Sequence, residues 1–343
     1  MDNKKRKQHY VFQAYLNSWT NDKKLWCMRD KENIFSTGTI NVVQERDFYR
    51  IKPLNEDEKK FYNLFLNRMP ADVQKALSSH MDIYLKPIEW QENIKILKFA
   101  LKLRYGGYDR IPDEIKDELL KLESMIDITI NNTEEDYHSD IEGEAIKWIN
   151  SLKEKNNSFY YEDNKVTTNK GYYDDEQFDF IFFISTQYFR TKAIKERWIS
   201  NFEPCLNLPQ WNSLNIPRDS IHLENLAHHF FWDIQNRVAY SLRKKNAHLT
   251  LLINETDIPF ITSDQPVINL CANYKQLGEE TKELVFYYPI SPNIAITIND
   301  ENLQDKIKLN IEKVDEYNNA IINASYQYIF ADRVEVIKRY MST

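Results

Sequence analysis

Glycine is scarce in this 343-residue chain: six occur, about a quarter of the usual frequency of ~7%. Phosphate-cradling loops need several glycines at fixed spacing. Gly106 and Gly107 adjoin in RYGGY and Gly171 stands in NKGYY, but no such run exists. Nucleotide-dependent phosphoryl transfer and dinucleotide-dependent hydride transfer are therefore not expected, and no cofactor is implied. Cysteine is scarce too. Cys27, Cys205 and Cys271 are odd in number and far apart, which suits a reducing compartment and gives no disulfide framework. No apolar run reaches the ~18 residues of a membrane span, the longest lying near Phe180–Ile184 and Leu249–Ile253. The basic opening MDNKKRKQHY is not followed by the apolar stretch of a secretory leader. A cytoplasmic location without membrane association is the expectation. Positive charge is not in excess either: the net charge of −7 argues against a wholly basic nucleic-acid binder.

What is present is a chain rich enough in apolar (42%) and aromatic (13%) residues to exclude disorder and to build a sizeable core. Charge is uneven. Residues 110–145 hold twelve acids and three bases, a net of −9, so the remainder sums to +2, with a mildly basic stretch at 187–245. That acidic region is a candidate surface for a basic protein partner. Residues 9–19 are expected to form a short helix and KLWCMRD a strand, with 30–55 irregular. From Glu56 to Ile128 the pattern is helical, punctuated by Pro70, Pro87 and Pro112. NNTEEDYHSDIEGEA then leads into another helix ending near Lys155, and 156–173 is expected as an exposed loop. One long helix is expected from Asp174 through Trp198, and a second from Asp219 to Lys244. The pattern then changes to strands in AHLTLLIN, PFITS, PVINL, ELVFYYPIS and NIAITIND. A helix (Lys313–Ser325), the strand YQYIFAD and a terminal helix follow. Helices first and strands later imply an α+β fold, with the helical N-terminal and central region packed on a mostly antiparallel C-terminal sheet. The expected organisation is a single domain over 1–343 with an acidic helical excursion at about 110–173.

Several polar groups stand on apolar faces. In HYVFQAYLNSWT a helix would align His9, Phe12, Gln13 and Leu16. In the long central helix Phe180, Phe183, Gln187, Arg190, Ile194 and Arg197 would share an arc of about 100°. A buried guanidinium needs a partner, so Arg190 should meet a carboxylate, carbonyls or an anionic ligand. In PFITSDQPV a strand ends in Ser263 and Asp264, a position shared by site acids and by turns in which Asp accepts a backbone N–H. Asp264 is the carboxylate expected to pair with Arg190 or His9; a purely structural pair is the competing reading. On the helix from Asp219, His222, His229 and Asp233 fall near one line, and His229 and Asp233 have the i, i+4 spacing that can share a metal. A solvated face is the preferred reading of them, since no HExxH or cysteine-pair motif accompanies them, and His228 lies off that line. Cys27 reads as a small buried hydrophobe. Trp90, Tyr105 and Tyr108 near Arg104 read as core with a charged rim, although such aromatics can stack on bases.

HYVFQAYL, ISTQYFRT, PFITSDQPV, YYPISPNIAITI and EYNNAIINAS occur in this order. Together they resemble the mostly bacterial family catalogued as domain of unknown function 4238, over His9 to about Phe330. The matching positions include His9, Gln13, Gln187, Arg190, Ser263, Asp264, Pro289, Pro292 and Asn318. Phe12 stands where the family pattern has Pro. The family's scattered bacterial occurrence is like that of toxin and phage-defence genes, an association only. The expectation is a cytoplasmic effector acting on nucleic acid, RNA or DNA, as a metal-independent ribonuclease. His9 would be the acid–base group, Asp264 its orienting partner and Arg190 the stabiliser of phosphate charge. Gln13, Gln187, Ser263 and Asn318 would bind substrate. Two alternatives stand: a non-enzymatic regulatory protein whose polar cluster is structural, and a metal-dependent hydrolase using His222, His229 and Asp233.

Overall fold

The computed structural model describes residues 3–161, 175–274, 281, 283–301 and 304–341. The chain opens with strand β1 (Lys7–His9) and a one-turn helix α1 (Gln13–Leu16), continued by a 3-10 turn to Trp19. The single helix expected over 9–19 is therefore split. Phe12 has φ −54 and ψ 113, outside the helical well, so His9 ends a strand and Gln13 begins a helix. The two do not share a helical face. Strand β2 (Leu25–Arg29) forms as the sequence indicates. The expected irregular stretch after it also holds strands, β3 (Asn33–Thr37) and β4 (Gln44–Arg46). At the β2–β3 turn Asp30 and Lys31 both take positive φ, 54° and 59°, which lets the strands fold back in register.

Helix α2 (Glu56–Leu66) begins at a capping box in which Asn55 and Glu58 exchange side-chain-to-backbone hydrogen bonds of 2.8 Å. Helix α3 (Ala71–Tyr105) starts after Pro70, continues through Pro87 and stops where Gly106 takes φ 69°, the left-handed residue that closes a helix. Helix α4 (Asp113–Lys153) starts after Pro112 and runs 41 residues. The interruptions expected at Pro87 and at Asn131–Asn132 are absent. A short α5 (Ser158–Tyr161) follows; residues 162–174, most of the expected loop and Gly171 with it, lie outside the described residues. The long central helix is two helices, α6 (Glu176–Phe189) and α7 (Lys192–Phe202). Between them Thr191 is extended and caps α7 by accepting the Ile194 N–H at 3.3 Å. Arg190 and Arg197 are thus on different elements. Helix α8 (Leu223–Lys244) leads to strands β5 (His248–Asn254), β6 (Thr262–Ser263), β7 (Ile268–Asn269), β8 (Phe286–Ser291), β9 (Ile294–Asn299) and β10 (Lys306–Leu309). Helix α9 (Ile311–Ala324), strand β11 (Tyr328–Ala331) and helix α10 (Val334–Met341) complete the chain. The fold class is α+β, with helices in the N-terminal and central regions and antiparallel-rich sheets toward the C-terminus.

The chain divides into two compact units. The first comprises Met1–Gln8, Glu45–Asp140 and Leu208–His229 and is mainly helical. Its N-terminal segment is held on α4 by amides: the Lys5 N–H donates to Asn132 Oδ1 at 2.9 Å, Asn131 donates to the Lys5 carbonyl at 2.8 Å, and buried Gln8 donates to the Asn131 carbonyl at 2.7 Å. The second unit comprises His9–Gln44, Ile141–Asn207 and Phe230–Thr343. It carries a five-stranded sheet in the order β10-β5-β9-β8-β7 and a four-stranded sheet in the order β3-β2-β11-β6; β10 runs parallel to β5 and the other neighbours in these two sheets are antiparallel. Phe260, Ile261, Ile268, Tyr287, Val314, Ile321 and Ile329 fill its core together with residues of α9 and α10. Each such large side chain contributes about 1.5–3 kcal/mol on burial. No helix among the described residues is long and apolar enough to cross a membrane.

Candidate functional site

The second unit brings the sequence motifs together, but through different atoms than expected. Arg190, the last residue before the α6–α7 break, is buried. Its Nη1 is paired with the Glu142 carboxylate of α4 and its Nη2 donates to the His9 carbonyl at 2.5 Å. Gln187, one turn earlier on α6, has its amide 3.4 Å from the same Glu142 oxygen. Burial pushes the Glu142 carboxyl above its usual range, with Arg190 and Gln187 pulling the other way. The carboxylate that answers Arg190 is thus Glu142, and His9 contributes its backbone. The His9 ring stands 3.4 Å from the Ile40 carbonyl. Gln13 is half-buried at the start of α1.

Asp264 is fully buried and accepts the N–H groups of Tyr326, Gln327 and Tyr328 at 2.8, 2.6 and 3.0 Å. Burial raises its pKa to about 6, against the pull of those three N–H groups and of the Arg197 guanidinium. The expected pairing of Asp264 with Arg190 or His9 is replaced by this turn-capping role. Its neighbour Gln265 links the two motifs instead: it bonds the Thr191 hydroxyl and donates to the Tyr188 carbonyl at 3.2 Å. Ser263 closes a local turn, donating to the Gln265 carbonyl at 3.0 Å and accepting its N–H at 3.1 Å. Asn318 accepts the Ile261 N–H at 3.0 Å and donates to the Pro259 carbonyl at 3.0 Å and the Tyr340 hydroxyl at 2.8 Å. Ser263, Asp264 and Asn318 therefore direct these bonds into the fold.

The first unit holds a different cluster, built by i, i+4 pairs on two helices and by the start of a third. Helix α3 supplies His80 and Tyr84, α4 supplies Glu134 and His138, and α8 supplies His228 and His229. Glu134 is its centre. One carboxylate oxygen lies 2.9 Å from His228 Nδ1 and 3.6 Å from His138 Nε2, while the other accepts the Tyr84 hydroxyl at 2.6 Å. The Tyr84 and His228 rings stack 3.8 Å apart at 11°, and His80 stacks on His228 at 5.6 Å. His229 meets Tyr84 edge-on at 5.3 Å. Four of the chain's seven histidines are gathered here.

Their charges are set apart. Burial tends to neutralise Glu134, but the His228 charge and the hydrogen bonds of His138 and His228 outweigh it and hold the carboxyl below its usual range. Burial first, and the neighbouring His228 charge second, keep the His80 pKa down at about 3. The same causes hold His229 well below its ordinary value. The cluster thus places a charged carboxylate against His228 and a neutral imidazole beside it. His228 Nε2 and both ring nitrogens of His229 are buried with no hydrogen-bond partner among the described residues. A neutral imidazole carries one N–H, so the His229 ring brings a buried donor and a buried acceptor into the cluster. The side chains of His228 and Glu134 are 18% and 11% exposed, while His228 Nε2 itself is buried.

The metal triad suggested at His222, His229 and Asp233 does not assemble. His222 is exposed and sits 3.1 Å from Glu58, Asp233 pairs with Arg237 at 2.6 Å, and no group of three His, Cys, Asp or Glu among the described residues has metal-ligand geometry.

The family model for proteins of unknown function DUF4238 matches residues 7–335, nearly the whole chain. The chain belongs to this family. No curated protein and no solved structure matches it. The match runs through both units, so the histidine cluster and the motif junction at Arg190, Thr191 and Gln265 both lie within the family's span.

Proposed function

We propose that this family member is a cytoplasmic acid–base ribonuclease working in a toxin or phage-defence setting, with the His80–Glu134–His228 cluster as its chemical centre. The observation that carries the reading is the 2.9 Å contact between Glu134 and His228 Nδ1, with the neutral His80 ring stacked alongside. A carboxylate bonded to one ring nitrogen of an imidazole orients that ring to move a proton with the other. The cluster's side chains are imidazoles, a carboxylate and a phenol. Burial and the Glu134 charge push the Tyr84 phenol well above its usual range, so it is no nucleophile near neutral pH. Such a set moves protons and leaves the nucleophile to the substrate, and RNA brings one in its 2′-hydroxyl.

In the proposed step the 2′-oxygen attacks the adjacent phosphorus as His228, held by Glu134, takes the hydroxyl proton. The bond from phosphorus to the 5′-oxygen breaks, and His228 gives its proton to that leaving oxygen. Glu134 holds the His228 ring and its charge, the role of a carboxylate behind a catalytic imidazole. The products are a 2′,3′-cyclic phosphate and a free 5′-hydroxyl. His9, Arg190 and Asp264, first assigned to this chemistry, are here fold-stabilising groups of the second unit.

The test is cleavage of a defined RNA by the full chain, compared with the same RNA carrying 2′-deoxyribose at the cut position. Cyclic-phosphate ends, no cutting of the deoxy substrate, and a ~10²–10⁴-fold loss in His228→Ala are expected. Cutting of the deoxy substrate, or full activity in His228→Ala, overturns the mechanism.

A further inference from the structure

Helix α3 has two apolar faces, and only one of them is packed. Pro87, Ile94 and Leu101 recur at seven-residue spacing and are buried or half-buried. On the same flank, Lys98 ties α3 to α4 through a 2.6 Å ion pair with Glu123. About 180° round the helix, Ile96, Phe99 and Leu103 follow the i, i+3, i+7 pattern of an interface seam, yet they are 66%, 63% and 67% exposed. This is not scattered surface apolarity. Ten of the nineteen exposed large hydrophobic side chains among the described residues fall between Ile83 and Met125. Concentrated exposed apolar surface of this kind marks an interaction site.

Charge along α3 identifies the occupant. From Asp82 to Glu92 the helix carries three acids and one lysine; from Lys95 to Arg104 it carries no acid and, besides the Lys98 already tied to Glu123, three cations. A helix acidic in one half and basic in the other complements itself only when a second copy lies antiparallel. The Glu89/Glu92 turn of one copy then runs beside the Lys102/Arg104 turn of the other, and the contact repeats itself at the far end. A two-fold interface requires such self-complementarity, and a parallel arrangement sets like against like. We infer that α3 is a homodimerisation helix, pairing antiparallel with α3 of a second copy through Ile96, Phe99 and Leu103.

The experiment is sedimentation of the full chain over a concentration series, with helicity followed by circular dichroism. The wild-type chain is expected to be dimeric at micromolar concentration. Replacing Ile96 and Phe99 by Glu should weaken the dimer on the order of 100-fold with helicity unchanged, since both positions face solvent in the single chain. Glu92→Lys and Lys102→Glu should each weaken association, and the two together should restore it, a rescue that another partner or a lipid surface would not produce. A wild-type chain that stays monomeric, including one that binds anionic vesicles as a monomer, overturns the inference. So does a dimer indifferent to the Ile96/Phe99 change, or a charge swap that fails to rescue.

Discussion

Removing the guanidinium of Arg190 separates a structural arginine from a catalytic one. Its side chain is 2% exposed and that of its partner Glu142 is 13% exposed. The guanidinium also fixes the end of β1 through the His9 carbonyl. In Arg190→Met the Glu142 carboxyl keeps its burial but loses its cation, and the His9 carbonyl loses a donor. Breaking a buried pair from one side costs about 3–5 kcal/mol. For a cooperative body of the second unit's size, ~2–4 °C per kcal/mol, this is a fall in Tm of ~6–20 °C. Replacing both partners, Arg190→Met with Glu142→Leu, removes the stranded charge together with the pair and should recover most of the loss. Thermal unfolding of the wild type, both single variants and the double variant gives the full cycle. RNA cleavage below each Tm should remain near the wild-type rate. If Arg190→Met melts within ~2 °C of wild type while cleavage collapses, the arginine touches substrate and the structural assignment is refuted.

Acid sensitivity should carry two opposing signatures. His80 has an ordinary pKa of 6.5 and a folded value of about 3; in that window the unfolded chain binds a proton that the folded chain refuses, so stability is lost as pH falls, and His80→Gln should flatten the slope in denaturant titrations run from pH 7 to pH 4. Asp264 works the other way: its folded pKa of about 6 lies above the ordinary 3.8, so stability declines as pH rises between those values, and Asp264→Asn should remove that decline. At neutral pH Asp264→Asn should still destabilise by about 1–3 kcal/mol, because one amide oxygen replaces two carboxylate oxygens that serve three N–H groups; an unchanged urea midpoint would contradict the turn-capping role. Asn318→Ala strips a partner from the Ile261 N–H and the Pro259 carbonyl and should cost about 1–3 kcal/mol, read as a lower urea midpoint with RNA cleavage unaltered.

How much of this was legible in the residues follows from which interactions are local. The α+β class and the late strands are written in β-branched runs bounded by Pro and Asn, and most of those strands form where expected. Arg190 was singled out because burial of a guanidinium demands an answering group, and the answer exists. Its identity, Glu142, lies in a segment that reads as an acidic helical excursion with a partner-binding surface. The α6–α7 break was hidden because Thr191 interrupts the helix without interrupting the apolar period, so Arg197 seemed to share a face with Arg190. The histidine cluster was missed for a related reason. Asn131–Asn132 reads locally as a loop, since Asn competes with the helix for backbone hydrogen bonds. In the fold those two side-chain amides are taken by Asn3 and Lys5, and Gln8 donates to the Asn131 main-chain carbonyl, all from more than a hundred residues earlier. The helix therefore continues, and Glu134 and His138 become an i, i+4 pair. Once α4 is continuous, the spacings His80–Tyr84 and Glu134–His138 stand on two long helices, and His228, set aside because it left the His222–His229 line, is the ring that joins them. A chain whose N-terminal strand is cut back beyond Lys5 should then lose order first at Asn131–Asn132, and the Glu134–His228 contact with it. Amide hydrogen exchange across α4 would show faster exchange around those asparagines; unchanged protection there would mean that α4 is continuous by its own propensity, not by the docking of Lys5 and Gln8.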